Sequence, residues 1–156
     1  MPRSLLAERI RRALPAPGCR FAPSRGQSTL VNQAFKGEVT TAMSISNIPF
    51  CITDWSTIVP VTVNGTTGTA TMRIQQHGDL RIRMIEYSAN YLADHWCELG
   101  HLVFVLEGEL INELKDGTTS LLKSGMSYAV SDGLSSHRSR TVGPVKMLVI
   151  DGGFLR

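Results

Sequence analysis

Residues 94–109 read DHWCELGHLVFVLEGE and place His95, Cys97 and His101 directly ahead of an apolar, strand-like run. The chain holds four histidines, so two of them fall in this short stretch with a thiol between them. Imidazole and thiolate suit zinc, iron, copper or nickel, and suit magnesium or calcium poorly. Side chains two apart on a strand share a face, so His95 and Cys97 can project to one side while Trp96 points to the other. Gly100 permits a turn, after which His101 can open the next strand and face the same point. His137 would arrive from a distant strand. Four nitrogen and sulfur donors satisfy a tetrahedral ion. Should Cys97 instead be a small buried hydrophobe, three histidines would leave positions open for water, oxygen or substrate. The expectation is one divalent transition metal (zinc, iron or nickel) per chain, held by His95, Cys97, His101 and His137.

Asp94 suits a hydrogen-bond partner of a ligand histidine better than a ligand. Gln75, Arg83 and Tyr128 are candidates for the rest of a pocket, each mid-strand with a polar end that needs a partner if buried; the alternative is that they are ordinary surface residues. Arg138 and Arg140 alternate with His137, so an inward His137 turns both outward. His77, beside Gly78, reads as a turn residue. Glu98, Glu107 and Glu109 read as solvent-facing or turn carboxylates.

The elements that must position these groups are strands. IPFCITDWSTIVPVTVNG opens the body with Phe50 and Trp55 as expected aromatic anchors. TGTATMRIQQ and LRIRMIEYS flank a turn at His77-Gly78-Asp79. In the second of these, Leu80, Ile82 and Met84 share one face, and Arg81, Arg83 and Ile85 the other. HLVFVLEGELINEL is broken by Gly108 into two strands, KDGT is an Asp-Gly hairpin turn, and TSLLK, MSYAV, HRSRT and VKMLVI follow with short turns between them. Eight or more short strands with no convincing interior helix make a β-sandwich or barrel.

The bulk composition sets outer limits. A chain of 156 residues is one domain, with room for a tail. No apolar run approaches the 18 or so residues of a membrane helix. Three scattered cysteines make no disulfide framework and favour a reducing, cytoplasmic setting. The net charge of +3 is uneven: residues 1–42 carry seven basic and two acidic residues, and residues 43–156 nine and eleven. The basic residues of the body neither cluster nor alternate with aromatics, which speaks against a nucleic-acid surface. Residues 1–42 are rich in Pro, Gly, Ser and Thr after a short amphipathic stretch, SLLAERIRRAL, and read as a leader outside the fold. Two origins fit it: an organelle transit segment, or sequence upstream of a true start at Met43. A chain begun at Met43 is expected to melt with the full one.

Over residues 44–152 the sequence resembles the cupin family, whose first motif is G-x5-H-x-H, three or four residues, E, six residues, G. Here it runs Ala89, five residues, His95, Trp96, Cys97, three residues, His101, six residues, Gly108. The spacing is kept while Cys97 replaces the second His and His101 the Glu. Asn90, beside the missing glycine, can take the left-handed conformation. The second motif, G-x5-P-x-G-x2-H, appears as Gly125, five residues, Ser131, Asp132, Gly133, three residues, His137. Within the cupins the chain resembles the group with a DHCW signature, carrying those four residue types in the order Asp94-His95-Trp96-Cys97.

The resemblance implies an all-β jelly-roll barrel (a double-stranded β-helix) over residues 43–156 and a metal site at the four donors. It also implies a small-molecule ligand or substrate in the barrel and a homodimer, with neither nucleic acid nor membrane as partner. An enzyme of oxygenase, isomerase or lyase type is one reading, and a non-catalytic ligand-binding or structural metal module is the other. Leu102, Phe104 and Leu106, on the opposite face of their strand from His101, Val103 and Val105, support the dimer, because both faces want cover.

Overall fold

The computed structural model describes residues 47–155, so the expected leader lies outside the described residues. Nine strands follow a 3₁₀ turn at Trp55–Thr57: β1 (Val61–Asn64), β2 (Thr69–His77), β3 (Leu80–Tyr87), β4 (His101–Glu107), β5 (Glu109–Leu114), β6 (Thr119–Lys123), β7 (Ser127–Val130), β8 (His137–Thr141) and β9 (Val145–Asp151). They form two antiparallel sheets, β1-β2-β3-β9-β4-β7 and β6-β5-β8. Strand count and turn spacing predict a sandwich or barrel, and the two sheets form the jelly roll that the family resemblance implies.

Alternation explains the core. In β4, His101, Val103 and Val105 are buried while Phe104 is exposed, and in β9 Val145, Met147 and Val149 are buried. Val103, Val105, Val145, Met147 and Val149 join Met72, Ile85, Leu110 and Leu122 in one cluster. Each large apolar side chain so removed from water contributes about 1.5–3 kcal/mol. Gly108 is the corner at which the chain leaves the larger sheet for the smaller one. Its φ is +81°, and a Cβ there would collide with the carbonyl oxygen of Pro144. Only glycine meets both demands. Asn90 does adopt a left-handed φ of 55°, as its side chain permits.

The register arranges the interior in layers. Arg81 lies opposite Asp151, Arg83 opposite Val149, and Ile85 opposite Met147 across β3–β9. Across β4–β9, Val103 is opposite Val149 and Val105 opposite Met147, which puts His101 at the level of Asp151. One end of the barrel is therefore closed by apolar packing, and the other carries charged and ligating groups.

The opening segment differs from expectation. Phe50 is 94% exposed and anchors nothing, while Ile58 is buried and Trp55 half-buried. Aromatic content alone does not place a residue inside, because burial needs a facing element. No described helix is long and apolar enough to cross a membrane.

Candidate metal centre

The side chains of Cys97, His101 and His137 converge, with one ligand atom of each within 4.8 Å of the others. His101 opens β4 and His137 opens β8, so the two sheets each supply one imidazole. Cys97 comes from the segment between β3 and β4, which is tied to β8 by paired backbone bonds: Cys97 N donates to His137 O at 2.7 Å, and His137 N to Cys97 O at 3.0 Å. That two-way bond places the thiol beside His137 without a regular strand.

The histidines are oriented for ligation. His137 Nδ1 lies 2.8 Å from the carbonyl oxygen of Ser135, which fixes the proton on Nδ1 and leaves the Nε2 lone pair free. That Nε2 is 2.8 Å from Nε2 of His101, and the Tyr128 hydroxyl is 3.2 Å from the same His101 atom. Two imidazole lone pairs cannot face each other at this distance without a positive charge between them, a proton or a metal ion. If His101 supplies that proton from Nε2, its Nδ1 is left without one. This Nδ1 is buried with no hydrogen-bond partner, and 3.7 Å away stands the Asp151 carboxylate. A metal on Nε2 resolves the conflict by leaving the proton on Nδ1, directed toward the carboxylate, the arrangement common to metal-bound histidines. The donor set and this orphaned atom therefore fit an ion.

The electrostatics agree. Burial, reinforced by the neighbouring His137, pushes the His101 pKa down to about 4, so the imidazole is neutral and able to ligate near neutral pH. Burial pushes the Cys97 thiol up, so an ion there must displace its proton. Burial likewise raises Tyr128, which keeps its hydroxyl proton.

These groups line a cavity of about 420 Å³, within the size range of small-molecule sites. Its wall includes Arg83 and Tyr128. Gln75 is not among the lining residues; Gln76 is, because β2 presents Ala70, Met72 and Gln76 inward. Gln75 instead lies 3.3 Å from the ring of His77. His95 lines the cavity but stands outside the converging group. Its Nδ1 is 2.6 Å from Asp94 Oδ1 and its side chain is 41% exposed. The four-donor expectation treated residues 95–97 as a strand with strict alternation, whereas that segment is made of bends and single bridges. Asp94 does partner a histidine, namely His95. Arg138 and Arg140 share Glu113, at 2.8 Å and within hydrogen-bonding reach respectively, and Arg138, which also borders the cavity, stacks 4.7 Å over Trp96.

Two residues escaped the sequence reading. Asp151, the last residue of β9, accepts from Arg83 Nη2 at 2.7 Å and from Arg81 Nε at 2.8 Å. Its signal was the period of two, since Val145, Met147, Val149 and Asp151 share one face. Arg81 sits on the same face of β3 as Arg83 and carried the same signal.

No family model and no curated protein matches the sequence. Solved structures do match by fold. A predicted oxalate decarboxylase from Thermotoga maritima is 15% identical with a TM-score of 0.56, covering 64% of this chain and 96% of that one. Ectoine synthase from P. lautus is 20% identical with a TM-score of 0.54, covering 65% and 76%. The EutQ protein of Clostridium difficile is 13% identical with a TM-score of 0.51, covering 58% and 75%. These are cupin-domain proteins, and the fold of this chain is the cupin jelly roll.

Proposed function

We propose that the chain is a metal-binding cupin that takes a small molecule into its barrel, with one divalent transition ion held by Cys97, His101 and His137. The observation that carries this reading is the His101–His137 contact, together with the orphaned Nδ1 of His101 beside Asp151. Zinc, iron and nickel all suit two imidazoles and a thiolate. Three protein donors leave a tetrahedral ion one position for water or substrate, as in catalytic rather than closed structural sites. The open position favours ligand chemistry in the cavity over a structural role for the ion. When bound, the ion supplies Lewis acidity. His137 is held by the Ser135 carbonyl, the Asp151 carboxylate stands 3.7 Å from His101 Nδ1 and would receive its proton once Nε2 held the ion, and Tyr128 offers a hydroxyl proton beside His101. The reaction class, whether oxygenase, isomerase or lyase, is set by the substrate.

Elemental analysis of protein purified from its native host, without added metal, tests this. The expected result is one transition metal per chain in the wild type and in His95→Ala, and its loss in His101→Ala and His137→Ala. Metal-free wild type, with the His101 and His137 variants as stable as it, would overturn the proposal.

A homodimer belongs to the same proposal. On the outer face of the larger sheet the register sets Ile82, Ile150 and Leu102 in one row, and Met84, Leu148 and Phe104 in the next. Six apolar side chains in two adjacent rows form a face that a second copy can cover. The setting proposed for it is the cytoplasm, where a free thiol stays reduced.

A further inference from the structure

We propose that the turn at Gly153–Leu155 is a gate on the cavity mouth, hinged at Gly152 and latched by Asp79; it rests on the reading above only in taking the cavity as the site. β9 ends at Asp151, level with His101, at the end of the barrel that carries the ligating groups. From there the chain turns across the mouth. Gly152 lines the cavity, and the 3₁₀ turn Gly153–Leu155 spans from the β2–β3 turn to the loop after β7. Gly153 N donates to Asp79 Oδ2 at 3.3 Å, and Asp132 N donates to the Leu155 carbonyl at 2.9 Å. That loop is fastened in its turn to the segment before β4. Gly133 N donates to the Glu98 carbonyl at 2.8 Å, and Gly100 N to the Asp132 carboxylate. Asp79, Leu99, Gly100, Asp132 and Gly152 all border the cavity, so these four segments form its rim.

Behind this rim the imidazoles are deep, His101 being 7% exposed and His137 2%. A molecule that reaches them must pass the rim, and some part of the rim must yield. The turn is that part. None of its residues is buried, and Phe154 is 49% exposed. Its two fastenings are single hydrogen bonds, and the one to Asp79 is long and exposed. Segments with few buried contacts and exposed hydrogen bonds open at the low end of the free-energy scale. The closed position also demands two glycines. A Cβ on Gly152 would stand 2.6 Å from the Phe154 ring, and one on Gly153 2.6 Å from Asp79 Oδ2. Adjacent glycines give the chain the backbone freedom that a hinge needs. Among the described residues no hydrogen bond joins the β2–β3 turn to the 98–100 segment. Release from Asp79 therefore widens the mouth on the side where the rim is already unjoined.

Cys97, on the cavity wall, reports the opening whether or not a metal is present. The full chain, freed of metal, is treated with N-ethylmaleimide at fixed pH, and labelling of each cysteine is followed by peptide mass spectrometry. Asp79→Ala should speed labelling of Cys97 about threefold or more, the scale on which one exposed hydrogen bond shifts an equilibrium. Cys51, which does not line the cavity, should keep its wild-type rate. Asp79→Cys combined with Gly153→Cys does the converse and holds the gate shut. A Cβ on residue 153 would stand 3.8 Å from Asp79 Cγ, close enough for a disulfide to join the two positions. Once bridged, this variant should label at Cys97 at least roughly tenfold more slowly than wild type, and recover when the bridge is reduced and the reductant removed. It also decides the matter if Asp79→Ala does not fold. An unchanged or slower rate in folded Asp79→Ala, an unchanged rate in the bridged protein, failure of the two cysteines to bridge, or no labelling of Cys97 in any variant would each overturn the gate. Loss of zinc to a chelator should follow the same order. A chain that takes up no zinc strikes the metal reading instead and leaves the labelling result to decide the gate.

Discussion

Replacing Asp151 by Asn changes one carboxylate to an amide of nearly the same shape and leaves Arg81 and Arg83 without their shared counter-charge. The two ion pairs are short, 2.8 and 2.7 Å, and all three side chains are no more than 21% exposed. Removing one partner of a buried pair costs about 3–5 kcal/mol. The amide oxygen can still accept one hydrogen bond and the site is not fully dry, so the low end applies, about 3 kcal/mol. That is a large part of the roughly 5–15 kcal/mol by which a domain is stable. For a domain of about this size it corresponds to a fall in melting temperature of roughly 12 °C, at about 4 °C per kcal/mol. Urea unfolding of wild type and Asp151→Asn reads the difference directly. Adding Arg83→Met to the variant should recover roughly 1–2 kcal/mol, because the damage comes from unneutralised charge and neighbouring sites couple on this scale. A change below about 0.5 kcal/mol, the range of ordinary surface substitutions, would show that the guanidiniums are well solvated and refute the reasoning.

Asp151→Asn should also weaken metal binding by about tenfold or more, as loss of a carboxylate behind a ligand histidine does, which a competitive chelator titration measures. Cys97→Ser should lower affinity too and reduce the protons released on zinc binding; unchanged affinity and release would mean that the sulfur only lines the cavity. Arg138 and Arg140 hold the Glu113 carboxyl below its usual 4.5 by hydrogen bonds that outweigh its burial. The folded value being the lower one, this contribution is full above about pH 4.5 and is lost as pH falls below it. Glu113→Gln should therefore cost stability at pH 7 and progressively less below pH 4.5, read from melting curves across pH. Light scattering at micromolar concentration should give twice the chain mass, and Phe104→Glu should give the monomer.

The sequence was most readable where strands alternate cleanly. HLVFVLEGE announced its inward His101, Val103 and Val105, and LRIRMIEY its two faces, because a half-buried strand imposes a period of two. It was least readable where the backbone leaves that period. The segment 88–100 crosses to β8 through isolated bridges, so counting by twos from His95 to Cys97 did not predict that only the thiol joins the histidines. Gln75 was a pocket candidate only for its mid-strand position and polar end, with an ordinary surface residue as the alternative, and it is Gln76 that lines the cavity. Asp151 was passed over because a charged residue at the end of an apolar strand ordinarily marks the exit to solvent. What keeps it inside is Arg81 and Arg83, 70 and 68 residues away. Pairings of that range cannot be read from local pattern.

X-ray absorption at the edge of the native metal tests the central claim most directly, because it reports the atoms around the ion. The account predicts nitrogen scatterers at about 2.0–2.1 Å from His101 and His137 and one sulfur at about 2.3 Å from Cys97, as for a transition metal on imidazole and thiolate. The sulfur shell should vanish in Cys97→Ser. A spectrum showing only oxygen neighbours, unchanged in His137→Ala, would place the ion elsewhere and contradict the account.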